Sequence, residues 1–133
     1  DPAAVTSFEG RTGPYILYTA VRLNSVLRRA GNECAAQPAM PANLAADERN
    51  LIIELLDFER TVRSAFDNRA TDQLANYAYD LCQLINTFYH NCPILRDDVD
   101  PQTRCTRLHI ARAAQATLST VISLMGLRIP NEM

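Results

Sequence analysis

The feature that most constrains the fold is an apolar stripe in the second half of the chain. Its members are Leu74, Tyr77, Leu81, Leu84, Ile85 and Phe88. Residues three and four positions apart share one face of a helix, so this spacing predicts a long amphipathic helix with one buried face. The helix is expected to run from Thr71 to about Cys92, because Pro93 disfavours helical backbone in the residue before it.

Two other helices are predicted from the proline, glycine and aspartate residues that mark their ends. The first is expected to begin at Gly13 and Pro14 and to end before Gly31, since proline is favoured just inside a helix start and glycine just past its end. Its apolar stripe is Ile16, Leu17, Ala20, Leu23 and Leu27. The last helix is expected to begin with Asp100 as its N-cap and Pro101 as its first residue. It is expected to run to Met125, before Gly126.

The remaining segments have weaker signals. Apolar residues at helical spacing between 47 and 69 predict either one kinked helix or two short ones. Residues 31–47 contain Pro38 and Pro41 and are expected to form a loop, and residues 127–133 an extended tail. No stretch alternates convincingly enough to form a strand. The predicted fold is therefore all-α, an antiparallel bundle of four or five helices.

Length and composition indicate an ordinary globular chain. The 133 residues suit one domain, and 47% of them are hydrophobic and 21% charged, which argues against a disordered tail. No segment is apolar enough to predict a membrane span, and the opening Asp1-Pro2 does not look like a signal peptide. We therefore expect a cytoplasmic protein, and the missing methionine at position 1 suggests a fragment or a processed chain.

The four cysteines are expected to be free thiols, some of them buried, in a reducing compartment. They are Cys34, Cys82, Cys92 and Cys105, and no two of them form a Cys-x-x-Cys pair. A Cys92–Cys105 bridge is conceivable, but the spacing does not require it. We expect no metal site, because zinc would need a tighter cluster of ligands than these cysteines and two histidines provide.

The sequence contains none of the common catalytic motifs. Phosphate-binding glycine loops, the nucleophile elbow and the His-Glu-x-x-His zinc motif are all missing. Paired acids such as Asp47-Glu48 fall at helix starts, where they complement the helix dipole. An autonomous enzyme is therefore the least favoured of the function classes.

The positions of the arginines indicate more about possible binding partners than the net charge does. All 13 basic residues are arginine, and the formal net charge is −2, which by itself argues against nucleic-acid binding. No acid lies between Glu9 and Glu33 or between Asp100 and Glu132, so the first and last helices are both basic. Such helices could follow a phosphate backbone. The simpler interpretation is that their charged faces only keep the bundle soluble.

The end of the long helix carries a second candidate feature. Phe88 belongs to the apolar stripe, whereas Tyr89 and His90 fall outside it and are expected to face outward. An exposed tyrosine beside an imidazole can stack a nucleobase and hydrogen-bond its edge. The alternative is that Tyr89 only covers the adjoining loop, and spacing alone does not decide between the two.

Taken together, these segments resemble the all-helical anticodon-binding domain, the DALR domain, of arginyl-tRNA synthetases. The resemblance lies in residues 7–15 (SFEGRTGPY), 18–28 (YTAVRLNSVLR), 74–81 (LANYAYDL), 86–89 (NTFY), Cys92-Pro93, 124–127 (LMGL) and 130–133 (PNEM). It covers almost the whole chain in order and implies a domain that binds the anticodon stem-loop of arginine tRNA.

The resemblance also implies roles for particular residues. Tyr89 and Met133 match positions at the family's anticodon-binding surface, with His90 and Pro93 beside Tyr89. For phosphate contacts we expect Arg28, Arg104 and Arg107.

The resemblance further implies that the chain is a C-terminal fragment of a longer enzyme. Its partners would be arginine tRNA and the catalytic domain of that enzyme. ATP would bind to that enzyme elsewhere, so we expect no cofactor, no catalytic residue and no aminoacylation by this fragment. The alternative is a helical protein–protein interaction domain that binds no RNA.

Overall fold

The computed structural model describes residues 13–36 and 43–133, and this part of the chain is helical without strands. Its helices are α1 (Gly13–Ala30), α2 (Ala46–Leu56), α3 (Phe58–Asp67), α4 (Thr71–Asn91) and α5 (Pro101–Leu124). The prediction of an all-α bundle is confirmed. Residues 1–12, which include most of the first segment of the resemblance, and residues 37–42 of the predicted loop lie outside the described part.

Helix α4 is the centre of the bundle and packs against each of the other four helices. The stripe that predicted it forms much of the core. Leu74, Tyr77, Leu81, Ile85 and Phe88 are all buried, and Leu84 packs against the same cluster. The helix begins and ends within one residue of the expected positions, and the chain leaves it through the buried Cys92 and then Pro93.

The segment 47–69 forms two short helices that are separated at Asp57. The Asp57 carboxylate accepts two hydrogen bonds from the Arg60 guanidinium, at 2.6 and 2.8 Å, and its backbone carbonyl accepts one from the Thr61 hydroxyl. The Tyr77 hydroxyl of α4 donates to the Glu54 carbonyl at 2.8 Å. The same carbonyl accepts the Asp57 backbone N–H at 3.1 Å, so the helix break is closed locally and also tied to α4 across the core.

The predicted ends of the first and last helices are also confirmed. Asp100 caps α5, because its side chain accepts a hydrogen bond from the Thr103 backbone at 3.1 Å. Gly31 and Gly126 follow the two helices with φ of 59° and 77°, a backbone conformation that glycine adopts without steric cost. Beyond Gly126 the tail returns to the bundle, where Leu127 and Ile129 pack against the core.

Helices α1, α2, α4 and α5 alternate in direction along the chain. Asp47 at the start of α2 bonds Asn91 at the end of α4, and Glu54 near the end of α2 bonds Tyr77, so these two helices are antiparallel. Helix α1 runs in the same direction as α4, since Tyr15 near its start contacts Tyr79 and Arg22 farther along contacts Tyr89. The ends of α1 and α4 and the starts of α2 and α5 therefore meet at one end of the bundle, which we call the recognition end.

The prediction of four free thiols is wrong for two of them. Cys34 and Cys105 form a disulfide with their Cα atoms 5.4 Å apart, and the Cys92–Cys105 bridge is not made. The turn 31–36 brings Cys34 against the start of α5, a contact across 71 residues that the sequence spacing does not reveal. Cys82 and Cys92 are free and buried.

Burial raises the pKa of the Cys82 thiol to about 12, and it also raises the pKa of Cys92. Both thiols are therefore protonated near neutral pH and poorly reactive. Within the described ranges, no helix is long and apolar enough to cross a membrane, and no cluster of side chains could hold a metal ion.

Candidate nucleic-acid interface

Asn86 is the polar centre of the contact between α1 and α4. Its amide nitrogen lies 3.1 Å from the Tyr15 hydroxyl, 2.9 Å from the Thr19 hydroxyl and 3.0 Å from the Cys82 carbonyl. Its amide oxygen accepts a hydrogen bond from Arg22 at 3.0 Å. A side-chain amide offers donors and an acceptor together, so this one residue fixes the rotation of α1 against α4.

Arg22 is held between two aromatic rings at the surface of this seam. Its guanidinium carbon lies 4.2 Å from the centre of the Tyr89 ring and 5.5 Å from that of Tyr18. Both distances are within the range of cation–π attraction. The hydrogen bond to Asn86 leaves the guanidinium plane little freedom, so Tyr18, Arg22 and Tyr89 form a preorganised stack of one cation and two rings.

A groove opens beside this stack at the recognition end. Its volume is 290 Å³. The lining residues are Val26, Arg29, Tyr89, Pro93, Ile94, Leu95 and Arg96. One wall comes from the end of α1, and the other comes from the end of α4 and the segment that follows it. The groove thus combines an aromatic ring and an apolar floor with two cations, of which Arg96 is paired with Asp98 at 2.6 Å.

The wall that follows α4 is anchored from α5. Arg107 donates a hydrogen bond to the Pro93 carbonyl at 2.7 Å and lies 3.4 Å from the carboxylate of Glu48 on α2. The Arg107 and Glu48 side chains are only 15% and 5% exposed. This pair therefore faces into the fold, beneath the groove.

The structure brings together two of the four residues expected to contact bases. Tyr89 is half-buried and Pro93 lies near it in the groove wall. His90 is exposed, and Met133 is 63% exposed at the end of the tail. Neither of these two residues lines the groove within the described part of the chain. Their contact with RNA stays a prediction.

The three arginines expected to contact phosphates have different surroundings. Arg28 is exposed, and the structure shows no ion pair for it among the described residues. Arg104 makes a two-pronged pair with Glu33, which includes a 2.9 Å hydrogen bond, and this bond to Arg104 lowers the pKa of Glu33. Arg107 is largely buried between Glu48 and the Pro93 carbonyl. A phosphate role for these residues remains untested.

Sequence reasoning does not assign Tyr18 or Asn86 to a site, and it includes Arg22 and Arg29 only among the cations of the basic first helix. The spacing nevertheless contains a signal for Tyr18, Arg22 and Asn86. Tyr18 and Arg22 are four residues apart on α1, and Asn86 precedes Tyr89 by three on α4, so each pair shares a helix face. What the spacing could not show was that these two faces meet.

Chemically, the site suits a ligand with flat rings and negative charge. The stack and the groove offer aromatic surface, apolar contact and guanidinium donors, the groups with which proteins hold unpaired nucleotides. The thiol nearest the groove, Cys92, is buried and protonated near neutral pH, so it is not poised as a nucleophile.

Comparison with known proteins gives the family. Residues 16–133 match the family described as the DALR anticodon binding domain. An arginine–tRNA ligase of Maricaulis maris is 40% identical over 128 residues, which are 96% of this chain and 21% of that protein. One from Streptococcus equi is 37% identical over 134 residues, covering all of this chain and 23% of the relative.

A solved structure agrees with these relatives. Thermus thermophilus arginyl-tRNA synthetase superposes with a TM-score of 0.80 at 34% identity, over 95% of this chain and 22% of that one. The chain therefore spans about a fifth of the length of the proteins it matches. The resemblance seen in the sequence is confirmed: this chain belongs to the DALR anticodon-binding domain family.

Proposed function

We propose that the chain is the anticodon-binding module of an arginine–tRNA ligase and that it binds the anticodon stem-loop of arginine tRNA at the recognition end. The observation that carries the proposal is the Tyr18–Arg22–Tyr89 stack beside the groove. The hydrogen bond from Arg22 to Asn86 already holds the stack in place, so little conformational entropy is lost when a nucleotide binds there.

Tyr89 is the proposed stacking platform for a base. Arg22 covers one face of its ring, and the part that lines the groove remains open to a ligand. Stacking of a base on an aromatic side chain contributes about 1–3 kcal/mol. His90 and Met133 are proposed to reach the same loop of RNA from the edges of the groove, and Pro93 to contact a base across it.

The phosphates are proposed to follow the end of α1. Arg28 and Arg29 are both exposed, and Arg29 also lines the groove. The formal net charge of −2 gives no general attraction for RNA, so binding depends on this local group of cations. We therefore expect an affinity that falls steeply as salt is added.

The rest of the parent enzyme is the proposed second partner. Ile53, Leu56 and Phe66 are 56%, 79% and 63% exposed on α2 and α3, away from the groove. Large apolar side chains exposed this way are typical of a surface that another domain covers. ATP binding and aminoacylation are assigned in this proposal to that other part of the enzyme.

The stacking role is tested with three tyrosine variants and a fluorescent RNA hairpin that carries an arginine anticodon. Fluorescence anisotropy at fixed salt should show that Tyr89→Ala weakens binding by about 5- to 150-fold, the range that corresponds to stacking of one base. Tyr89→Phe should bind almost normally because it keeps the ring. Tyr79→Ala removes another surface tyrosine of α4 and should have no effect.

Two outcomes would contradict the proposal. If Tyr89→Ala bound the hairpin as tightly as the wild type while circular dichroism showed an intact bundle, Tyr89 would have no stacking role. If the wild type bound no hairpin but formed a stable complex with a protein in size-exclusion chromatography, the alternative of a protein-interaction domain would take its place.

A further inference from the structure

Arg107 has an unusual position for a residue on a basic helix. Its guanidinium joins three elements, because it projects from α5, pairs with Glu48 of α2 and donates to the Pro93 carbonyl after α4. Glu48 is 5% exposed and Arg107 15% exposed. A carboxylate this deeply buried is costly unless it is paired, so the pair belongs to the interior of the fold.

The Pro93 carbonyl lies at the start of a groove wall. Residues 93–96 leave the end of α4 without helical hydrogen bonds and face Val26 and Arg29 of α1 across the groove. Proline has no backbone N–H to donate, so its carbonyl is the group through which this residue can be hydrogen-bonded. The bond from Arg107 ties the beginning of the wall to α5.

We propose that Arg107, oriented by Glu48, is a positioning residue for the RNA groove: it sets the distance between the 93–96 wall and the end of α1 and so controls RNA affinity without touching RNA. This inference rests on the proposed function, since it concerns the same groove. It replaces the expected phosphate contact of Arg107 with an indirect role.

Charge and position make opposite predictions for Glu48. If only electrostatics mattered, loss of this carboxylate would leave RNA binding unchanged or tighten it, since RNA repels negative charge. If Glu48 orients Arg107, its loss lets the guanidinium turn away, the wall moves, and binding weakens. The two explanations therefore differ in the sign of one measured change.

The experiment uses the complete 133-residue chain and the same hairpin. Glu48→Gln keeps the size of the side chain and removes its charge, whereas Arg107→Lys keeps the charge and loses the planar, two-pronged donor. Each is expected to weaken hairpin binding by about three- to tenfold, the effect that corresponds to loss of one hydrogen bond. Glu59→Gln is the matched control, since this carboxylate is 83% exposed, and it should bind like the wild type.

A salt series separates positioning from phosphate contact. Arg107→Gln should weaken binding without changing the slope of log affinity against log salt, whereas loss of a phosphate contact would reduce that slope by about one. Hydrogen exchange adds a readout that needs no RNA. The amides of Cys92 and Val99, which donate to the Phe88 and Arg96 carbonyls at the two ends of the wall, should exchange faster in Glu48→Gln than in the wild type, because the wall has lost its anchor.

Each result bears on the inference in a defined way. Unchanged or tighter binding by Glu48→Gln, a reduced salt slope for Arg107→Gln, or unchanged exchange at Cys92 and Val99 would overturn the inference and leave the proposed function standing. Unfolding of both Glu48→Gln and Arg107→Lys would also overturn it, because the pair would then serve the whole bundle. A wild type that binds no hairpin would contradict the proposed function itself.

Discussion

The arginines of α1 and those of α5 look alike in the sequence and differ in the fold. Arg28 and Arg29 of α1 point into solvent at the recognition end, and Arg22 is stacked on tyrosine rings at the surface. In α5, Arg104 pairs with Glu33 and Arg107 with Glu48. Arg112 is the third arginine of this α5 set, and it donates hydrogen bonds to the backbone carbonyls of Gly31 and Glu33.

The difference shows that an arginine's role is set by what its helix packs against. Helix α5 lies beside the turn 31–36 and the start of α2, which supply carboxylates and free carbonyls at the end of a helix. The exposed side of α1 has no such neighbour within the described part of the chain. We therefore expect changes on the α5 side to act mainly on stability and changes on α1 to act mainly on RNA binding.

The largest expected effect on stability comes from the disulfide that joins the turn 31–36 to α5. Replacing Cys34 and Cys105 together by serine should lower the free energy of unfolding by about 2–4 kcal/mol, because the bond closes a long loop in the unfolded chain. Urea denaturation with and without dithiothreitol measures this loss. Reductant should destabilise the wild type and leave the double variant unchanged.

A wild type that is equally stable with and without reductant would contradict this expectation. It would mean that the arginine contacts of α5 hold the turn without the disulfide. Since cytosolic glutathione keeps most thiols reduced, such a result would also fit the expected reducing compartment better than the bonded form does.

The next largest effect is expected at Asn86, which joins α1 to α4 and holds Arg22 beside Tyr89. Asn86→Ala should cost about 1–3 kcal/mol of stability, because it leaves polar groups of α1 without partners. It should also weaken hairpin binding, since Arg22 loses the bond that holds it beside Tyr89. Asn76→Ala, at an exposed position of the same helix, is the control. If stability fell and hairpin affinity did not, the stack would not be part of the RNA site.

The sequence predicted the helices well because local rules determine them. Proline, glycine and aspartate mark the ends of α1, α4 and α5, and the apolar spacing identifies the core face of α4. The sequence does not predict the break at Asp57, since one kinked helix and two short ones share the same apolar spacing. The Tyr77 hydroxyl that bonds the Glu54 carbonyl there comes from a distant part of the chain.

The site could be predicted only in part, for the same reason. Tyr89 and Pro93 were identified from their position at the end of a helix and from the family resemblance. Arg22 and Asn86 become partners only when α1 lies beside α4, and Cys34 meets Cys105 only when the turn 31–36 reaches α5. Such contacts between distant segments leave no trace in the periodicity of either segment.

Salt dependence gives a direct test of the division between the two arginine sets. Arg28→Gln and Arg29→Gln should each reduce the slope of log affinity against log salt by about 0.7–0.9, the value for one phosphate contact, without a change in stability. Arg63→Gln, on an exposed face of α3, should leave the slope unchanged. If Arg104→Gln reduced the slope as much as Arg28→Gln does, the two sets would not differ in function.

The smallest expected effect is the acid sensitivity of the Glu33–Arg104 pair. The hydrogen bond from Arg104 holds the pKa of Glu33 below its ordinary value of 4.5. Because the folded state favours the ionised form, the pair stabilises the fold above the unfolded pKa, and this contribution is lost as the pH falls through the folded value. Arg104→Gln should raise the pKa of Glu33 toward its ordinary value. The difference in stability between the variant and the wild type should therefore be larger at pH 7 than at pH 3.

An NMR titration of the side-chain carboxylates measures this shift residue by residue. Asp100 provides an internal reference, because Thr103 of its own helix, and not Arg104, is the main cause of its lowered pKa. In Arg104→Gln the titration of Asp100 should stay where it is while that of Glu33 moves. If Glu33 titrated unchanged, the pair would not persist in solution, Arg104 would be as free as Arg28, and the α5 set would contain a cation available to RNA after all.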